Sequence, residues 1–303
     1  MALLDILNFL SQESGHAVAS TIRERLTLLI IPMLNPDGTE RFQRRTAQSI
    51  DMNRDALALR TPEARILKEV QAKFRPEFGF NLHDQDPRNT VGFTKNVTAI
   101  ALLAPALDKA KSDPPSRIKA KQLAATFAEI MGQFIAGHVA RYDYTFEPRA
   151  FGDNIQKWGT STVLVESGGW PNDRDKMFIR KLNAVGLLTS LYAIAMGAYQ
   201  EAQQESYEQL PFNGKNLYDI IFRNVQLRTG NEQPPVLVDI GANLEEEQNG
   251  VSGQIQLKAR VVDIGDLSTV GSFVEHDCTG LQLSSDELTL DKVYSLTKGF
   301  KIF

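Results

Sequence analysis

The sequence contains one cysteine, Cys278, among 303 residues. One cysteine excludes an intramolecular disulfide framework, but it assigns no compartment, because many exported proteins also lack disulfides. Basic tracts and basic-aromatic repeats are absent, and the formal net charge is -4, which disfavours nucleic acid as a partner. No apolar run reaches the roughly 18 residues of a membrane-spanning helix. The residues after Met1 also lack the basic region and cleavage site of a signal peptide.

The remaining composition is ordinary for a globular protein, with 42% hydrophobic and 23% charged residues. Apolar runs alternate with helical patterns through the first two thirds, which predicts an α/β fold, a sheet with helices on both faces. Near Gln209 the pattern changes to short alternating segments separated by Gly, Asn and Pro, which predicts a small all-β module. We therefore expect two domains, residues 1–205 and 206–303, and the sequence assigns no role to the second.

Apolar periodicity predicts a helix that begins at the first residue, and a helix over residues 62–74 that Thr61 caps. Two further long helices are predicted within residues 116–142 and 173–202. Three apolar runs predict buried strands: residues 25–34, a run that ends at His83 and a run that ends at Glu166.

Polar side chains follow each predicted strand, at the edge where open α/β sheets bind their ligands. The first group, "NPDGTERFQRRTAQSIDMNRD", holds several arginines, whose planar forks match carboxylates. The second is His83 with Asp84, and the third is Glu166, directly after "TVLV". Each group taken singly has a structural explanation that is better than a catalytic one. The arginines fit a solvated loop, His83 fits a structural histidine, and Glu166 fits a buried ion pair.

The order and spacing of five features favour a functional interpretation instead. These features are "NPDG", the arginines, "DMNRD", the strand-end histidine and "VLVES". As a set they resemble the zinc metallocarboxypeptidase family of the carboxypeptidase A and T type, over roughly Met1 to Ala202. The resemblance implies a mixed open sheet, Zn²⁺ as cofactor, and hydrolysis of C-terminal residues. The implied substrates are peptides or cell-wall peptides with a free C-terminus.

The resemblance also implies roles for the two strand-end residues. His83 matches the zinc ligand that a strand end supplies. Glu166 matches the general base that activates the zinc-bound water and then protonates the leaving amine. Independently of the family, peptide hydrolysis needs a nucleophile at neutral pH, and zinc lowers the pKa of bound water to about 7.

Three residues of the arginine-rich loop match positions in the family that contact the substrate. Asn53 and Arg54 match the pair that grips the substrate's terminal carboxylate. Arg44 matches the arginine that stabilises the oxyanion, with Arg45 as the alternative one position on. A developing alkoxide needs a preorganised cation, and a free C-terminus needs a fixed positive partner.

The segment "YDYTFEPRAFGD" matches the family less clearly. By its separation from Glu166, Tyr144 matches the family's tyrosine on a mobile loop, and Tyr142 competes with it. Asp153 lies in the segment that lines the side-chain pocket in the family. An acid there would favour a basic or amine-bearing terminal residue, whereas its alternative role is a turn or cap.

The family's other two zinc ligands come from an H-x-x-E motif, and none of the four histidines begins one. Catalytic zinc usually takes three protein ligands. We therefore expect Met1 to be an internal residue of a longer protein, whose remaining part supplies those two ligands and any signal peptide. The chain alone is then expected to be inactive.

Two alternative functions stay open. One is a zinc amidohydrolase or deacylase that acts on N-acyl amino acids. The other is a pseudoenzyme, a non-catalytic protein that keeps the carboxylate-binding arginine without zinc. "NPDG" and the length of the chain favour the peptidase.

Overall fold

The computed structural model describes residues 1–12, 15–143, 145–228, 230, 233–248, 255–285, 288, 290 and 293–295. The chain forms two compact units. Unit 1 comprises Met1–Pro87 and Thr98–Asn213, and unit 2 comprises Arg88–Val97 and the described residues from Gly214 onward. The predicted domains, residues 1–205 and 206–303, stay a prediction.

The helices are α1 (Ala2–Gln12), α2 (Ala17–Arg25), α3 (Pro36–Glu40), α4 (Pro62–Phe74), α5 (Pro115–Phe134), α6 (Phe151–Lys157), α7 (Met177–Met196) and α8 (Gln204–Glu208). Single 3₁₀ turns span Met52–Arg54 and Ala198–Glu201. The strands are β1 (Phe78–Asp84), β2 (Thr90–Val91), β3 (Ile100–Leu103), β4 (Val139–Arg141), β5 (Ser161–Ser167), β6 (Asn213–Gly214), β7 (Leu217–Arg228), β8 (Val236–Gln248), β9 (Ile255–Gly265), β10 (Gly271–Asp277), β11 (Gln282–Ser284) and β12 (Val293–Ser295).

Unit 1 is built on a mixed sheet with the strand order β1-β5-β3-β4. β1 runs parallel to β5 and β3 runs parallel to β4, whereas β3 and β5 are antiparallel. Helices flank the sheet, and α1, α2, α5 and α7 contribute buried residues to one apolar core with β5. The predicted fold class, a mixed α/β sheet with a separate all-strand region, is confirmed.

The helix predicted from the first residue is present as α1, and Thr61 caps α4 by accepting a hydrogen bond from the backbone N–H of Ala64. Among the described helices, α7 is long and apolar enough to cross a membrane by length and composition alone. Its buried residues, including Leu182 and Leu187, belong to the core of unit 1.

The strand predicted over residues 25–34 is wrong. Arg25 ends α2, and residues 26–34 lie outside every described strand. Leu29 is 48% exposed and Met33 is 54% exposed, so the run is not buried on both faces. Apolar β-branched composition supplies strand propensity, but a strand also needs a neighbour for its N–H and C=O groups. In the described part of the chain, no strand pairs with this run.

The helix predicted within residues 116–142 is also partly wrong, because α5 ends at Phe134 and residues 139–141 form β4. Gly137 has φ +79°, a left-handed conformation that glycine adopts without strain and that ends the helical pattern. β3 and β4 have four and three residues. Strands this short give no periodicity that a sequence pattern could reveal.

Unit 2 contains a sheet with the strand order β10-β7-β8-β9-β12, and β11 also pairs with β7. Val225, Ile240, Val261 and Leu288 form its buried core. This is the separate all-strand region that the sequence predicts.

Candidate active site

The two strand-end residues lie side by side in the sheet. In the parallel pairing of β1 with β5, His83 is the partner of Glu166. Side chains of partnered residues leave a sheet on the same face. On its other side Glu166 is the partner of Ala101 in β3, a small residue. The fold therefore brings together an imidazole and a carboxylate that are far apart in sequence.

Glu166 is a buried carboxylic acid with an unusual pKa. It is 5% exposed, and among the described residues its Oε2 atom has no hydrogen-bond partner. Burial, followed by the charge of Asp84, raises the pKa of Glu166 to about 7, although Arg44 and Lys176 lower it. A carboxylate with a pKa near neutrality can accept a proton from water and return it, which is what a general base does.

The surroundings of His83 favour its neutral form. Burial lowers the pKa of His83 below its ordinary value, and the charge of Arg44 lowers it further. The neutral imidazole is the form that binds a metal ion. His83 and Glu166 thus share an arginine that acts electrostatically on both.

The "NPDG" sequence begins a helix rather than forming a simple turn. Asn35 caps α3, since its Oδ1 accepts a hydrogen bond of 3.1 Å from the backbone N–H of Gly38. Its Nδ2 donates to the backbone carbonyl of Arg44 at 3.3 Å. A Cβ atom at Gly38 would lie 2.7 Å from the carbonyl oxygen of Gln43, so only glycine fits. This compact loop fixes the backbone position of Arg44.

Arg44 and Arg45 point to different partners. Arg44 Nε donates to Asp51 Oδ2 at 3.0 Å, and its charge lowers the pKa values of His83 and Glu166. Arg45 Nη1 instead donates to the backbone carbonyl of Ser49 at 2.9 Å. The structure therefore places Arg44 close enough to His83 and Glu166 for its charge to affect both pKa values.

"DMNRD" forms a 3₁₀ turn that Asp51 begins, with its Oδ1 accepting from the backbone N–H of Asn53 at 3.1 Å. Asn53 Oδ1 accepts from the backbone N–H of Phe151 at 2.9 Å. Because that bond orients the amide, the Nδ2 group of Asn53 is the one left to donate to a ligand. Arg54 lies next to it and is 36% exposed.

Tyr142 lies in the same electrostatic neighbourhood, whereas Tyr144 lies outside the described residues. Tyr142 directly follows β4, and its backbone N–H donates to the carbonyl of Leu102 at 2.9 Å. Burial raises the pKa of Tyr142, Glu166 adds to the rise, and Arg44 and Arg54 oppose it. Its phenol therefore stays protonated and able to donate a hydrogen bond.

Asp153 lies in the first turn of α6 and is buried. Burial raises the pKa of Asp153 to about 6, the charge of Glu147 adds to the rise, and Arg54 opposes it. Asp153 is thus close enough to Arg54 for the charge of Arg54 to lower its pKa.

Glu147 and Arg149 are site residues that the sequence patterns did not reveal. Glu147 Oε2 lies 3.3 Å from Arg54 Nε, and Arg149 binds the same carboxylate with both Nε and Nη2 at 2.9 Å. The tripeptide "EPR" has no spacing that would distinguish it from an ordinary turn. Only the tertiary contact with Arg54 identifies it.

Two glycines after Glu166 hold the end of β5 in place. The backbone N–H of Gly168 donates to the carbonyl of Ala99 at 2.9 Å. A Cβ atom on Gly168 would lie 1.8 Å from the carbonyl oxygen of Thr98, and one on Gly169 would lie 2.4 Å from that of Pro87. "ESGG" is therefore required for close backbone approach directly beside the carboxylate.

The described residues do not complete a zinc site. In the part of the chain that the structure describes, no group of three or more His, Cys, Asp or Glu side chains is arranged to hold a metal ion. Catalytic zinc usually takes three protein ligands, and His83 is the one that matches. The donor set therefore does not fit a catalytic zinc by itself.

Comparison with known proteins identifies fungal carboxypeptidases as relatives. Carboxypeptidase 2 of Trichophyton rubrum is 32% identical over 126 residues, 41% of this chain and 23% of that protein. Probable carboxypeptidase 2 of Trichophyton verrucosum (strain HKI 0517) is 31% identical over 126 residues, 41% of this chain and 24% of that protein. Carboxypeptidase 2 of Trichophyton tonsurans is 30% identical over 127 residues.

The matched stretch spans less than a quarter of the length of these curated relatives. No family model matches the chain, and no solved structure matches it significantly. The similarity is distant and partial, and it supports a carboxypeptidase-like relationship and a peptidase-like function.

Proposed function

We propose that the chain carries the carboxylate-binding and proton-transfer residues of a zinc-dependent carboxypeptidase. The observation that carries this proposal is the pairing of His83 with Glu166, with Arg44 acting on both. The similarity to fungal carboxypeptidases supports it.

In this proposal the substrate's free C-terminal carboxylate binds to Arg54 and to the amide Nδ2 of Asn53. Charge-assisted hydrogen bonds of this kind are roughly twice as strong as neutral ones, so they select a free acid over an amide. Asp153 lies beside them and favours a basic or amine-bearing terminal side chain.

Glu166 takes the proton from the attacking water and then delivers it to the leaving amine. Its pKa of about 7 suits both steps. Arg44 stabilises the oxyanion that forms on the scissile carbonyl, and the Tyr142 phenol donates a hydrogen bond in the same region. Tyr144 remains the alternative tyrosine.

Zinc, when bound, would acidify the attacking water and polarise the scissile carbonyl. Among the described residues, His83 matches a zinc ligand of the family. One ligand is not enough to hold the ion. The roles above therefore belong to the chain's own side chains.

Two other functions compete. A deacylase of N-acyl amino acids would also use a carboxylate-binding arginine and a general base. A carboxylate-binding pseudoenzyme would use the same arginine to bind free acids but would not hydrolyse them.

Mass spectrometry of peptide products distinguishes these functions. A form of the protein that also carries the two further zinc ligands is loaded with Zn²⁺ and incubated with unblocked peptides and with N-acyl amino acids, and the chain alone serves as the inactive control. We expect single residues to be removed from the C-terminus and no removal by Glu166→Gln. Internal cleavage or release of the acyl group alone would contradict the peptidase. No hydrolysis, together with binding of free acids, would identify the pseudoenzyme.

A further inference from the structure

A short segment, residues 147–151, is attached directly to the turn that carries Asn53 and Arg54. The backbone N–H of Phe151 donates to Asn53 Oδ1 at 2.9 Å, and the backbone N–H of Ala56 donates to the carbonyl of Arg149 at 3.0 Å. Two hydrogen bonds from opposite directions hold the two pieces of chain together. The position of Glu147 beside Arg54 is therefore set by the backbone.

Glu147 is shared unequally between two arginines. Arg149 binds both of its oxygens, Nε to Oε1 and Nη2 to Oε2, each at 2.9 Å. Arg54 Nε lies farther away, 3.3 Å from Oε2. The hydrogen bonds from Arg149 are the main cause that lowers the pKa of Glu147 to about 2. The carboxylate is ionised at any ordinary pH, and it keeps a full partner when Arg54 turns away.

Only some of the N–H donors of Arg54 are used in these contacts. Besides the Glu147 contact, its Nη1 donates to the backbone carbonyl of Asn53 at 2.8 Å. A guanidinium has five N–H donors in a planar fork, so donors remain for an incoming carboxylate. That carboxylate would approach a cation already in contact with a negative charge, and the two carboxylates would repel each other.

We propose that Glu147 is a built-in competitor of the ligand's carboxylate at Arg54, and that Arg149 limits this competition by holding Glu147. The inference rests on the proposed function, because it takes Arg54 as the group that binds a ligand carboxylate. Glu147 is thus a positioning residue that sets the affinity of the site through Arg54. The segment 147–151 regulates the access of a ligand carboxylate to Arg54. Binding of an acid displaces Glu147 from Arg54 onto Arg149.

The test is a binding measurement that does not require hydrolysis. An N-acetylated dipeptide with a free C-terminal carboxylate is titrated into ¹⁵N-labelled protein, and its amide is titrated in parallel. The affinity is obtained from the chemical-shift changes of backbone amides. The change of partner at Arg54 is followed by its Nε–Hε signal. Exposed ion pairs contribute modestly, so Glu147→Gln should tighten binding of the acid roughly two- to fivefold. It should leave binding of the amide unchanged.

Arg149→Ala should have the opposite effect. Without Arg149, Glu147 has Arg54 as its remaining cation, so the acid should bind roughly two- to fivefold more weakly. Glu129→Gln, which removes one negative charge from the exposed side of α5, is the matched control and should change nothing. Weaker binding in Glu147→Gln would overturn the proposal, because it would make Glu147 a support for Arg54.

A double-mutant cycle separates competition at Arg54 from a general effect of charge. In an Arg54→Ala background, Glu147→Gln should no longer affect binding of the acid. An effect that persists there would overturn the competition. If Arg54→Ala leaves binding of the acid unchanged, the proposed function fails instead, so the two failures are distinguishable. Backbone spectra of the variants that match the wild type confirm that each variant folds.

Discussion

The buried carboxyl group of Glu166 makes the stability of the protein depend on pH. Burial raises the pKa of Glu166 to about 7 from an ordinary value of 4.5. Between these pH values the folded protein keeps a proton that the unfolded chain has lost. The resulting stabilisation is complete below about pH 4.5 and is lost as the pH rises through about 7. Above that pH the protein holds an ionised, buried carboxylate, which is the form that accepts a proton from water.

Glu166→Gln should therefore change the pH dependence of stability. The amide cannot ionise, so the variant should gain stability relative to the wild type as the pH is raised from about 4 to about 8. The pKa shift of Glu166 from 4.5 to about 7 corresponds to about 3 kcal/mol of unfolding free energy. Urea unfolding of both proteins across this range measures the difference, and other titrating groups cancel. A difference that does not vary with pH would mean that Glu166 titrates as an exposed acid does.

β1 and β5 show what could be predicted from the sequence. Both are apolar runs that end in a polar residue, and the predicted ends, His83 and Glu166, each lie one residue before the observed end. Residues 25–34 are also an apolar run with β-branched residues, but they form no strand. Propensity depends on the residue itself, whereas pairing depends on a neighbour that a single segment does not encode. β3 and β4 were missed because they are too short to show periodicity.

Hydrogen exchange tests this difference between apolar runs. Amides of the central strand β5, such as those of Val163 and Val165, should exchange slowly because their strand is buried and paired on both sides. Amides of residues 28–31 should exchange much faster, since no strand among the described residues pairs with them. Equal protection in the two segments would show that residues 28–31 do form a strand in solution.

The "ESGG" connection should be intolerant of a single methyl group. Gly168→Ala would place a Cβ atom 1.8 Å from a backbone carbonyl oxygen that cannot move aside. Overpacking of this kind typically costs about 1–3 kcal/mol. Gly132→Ala, on α5, meets nothing within 4 Å and should be neutral or stabilise by about 0.5–1 kcal/mol. Thermal unfolding of both variants measures the contrast, and equal stabilities would contradict the close approach.

The candidate site assembles side chains from four separated parts of the chain. Arg44 and Arg54 come from the loop after α3, His83 from β1, Tyr142 from the end of β4 and Glu166 from β5. The sequence could predict them because their residue types and order resemble a family pattern. It could not predict Glu147, because Glu147 acquires its relation to Arg54 only when residues 147–151 dock on the turn. Contacts of this kind depend on tertiary structure and leave no local pattern.

The proposed function depends on recognition of a free C-terminal carboxylate through Arg54. The most direct measurement compares the affinities of a peptide acid and its amide for the wild type and for Arg54→Ala. A charge-assisted hydrogen bond contributes on the order of 1.5–3 kcal/mol, so the wild type should prefer the acid by roughly ten- to a hundredfold. Arg54→Ala should remove this preference and leave binding of the amide unchanged. Equal affinities for acid and amide in the wild type would contradict the account.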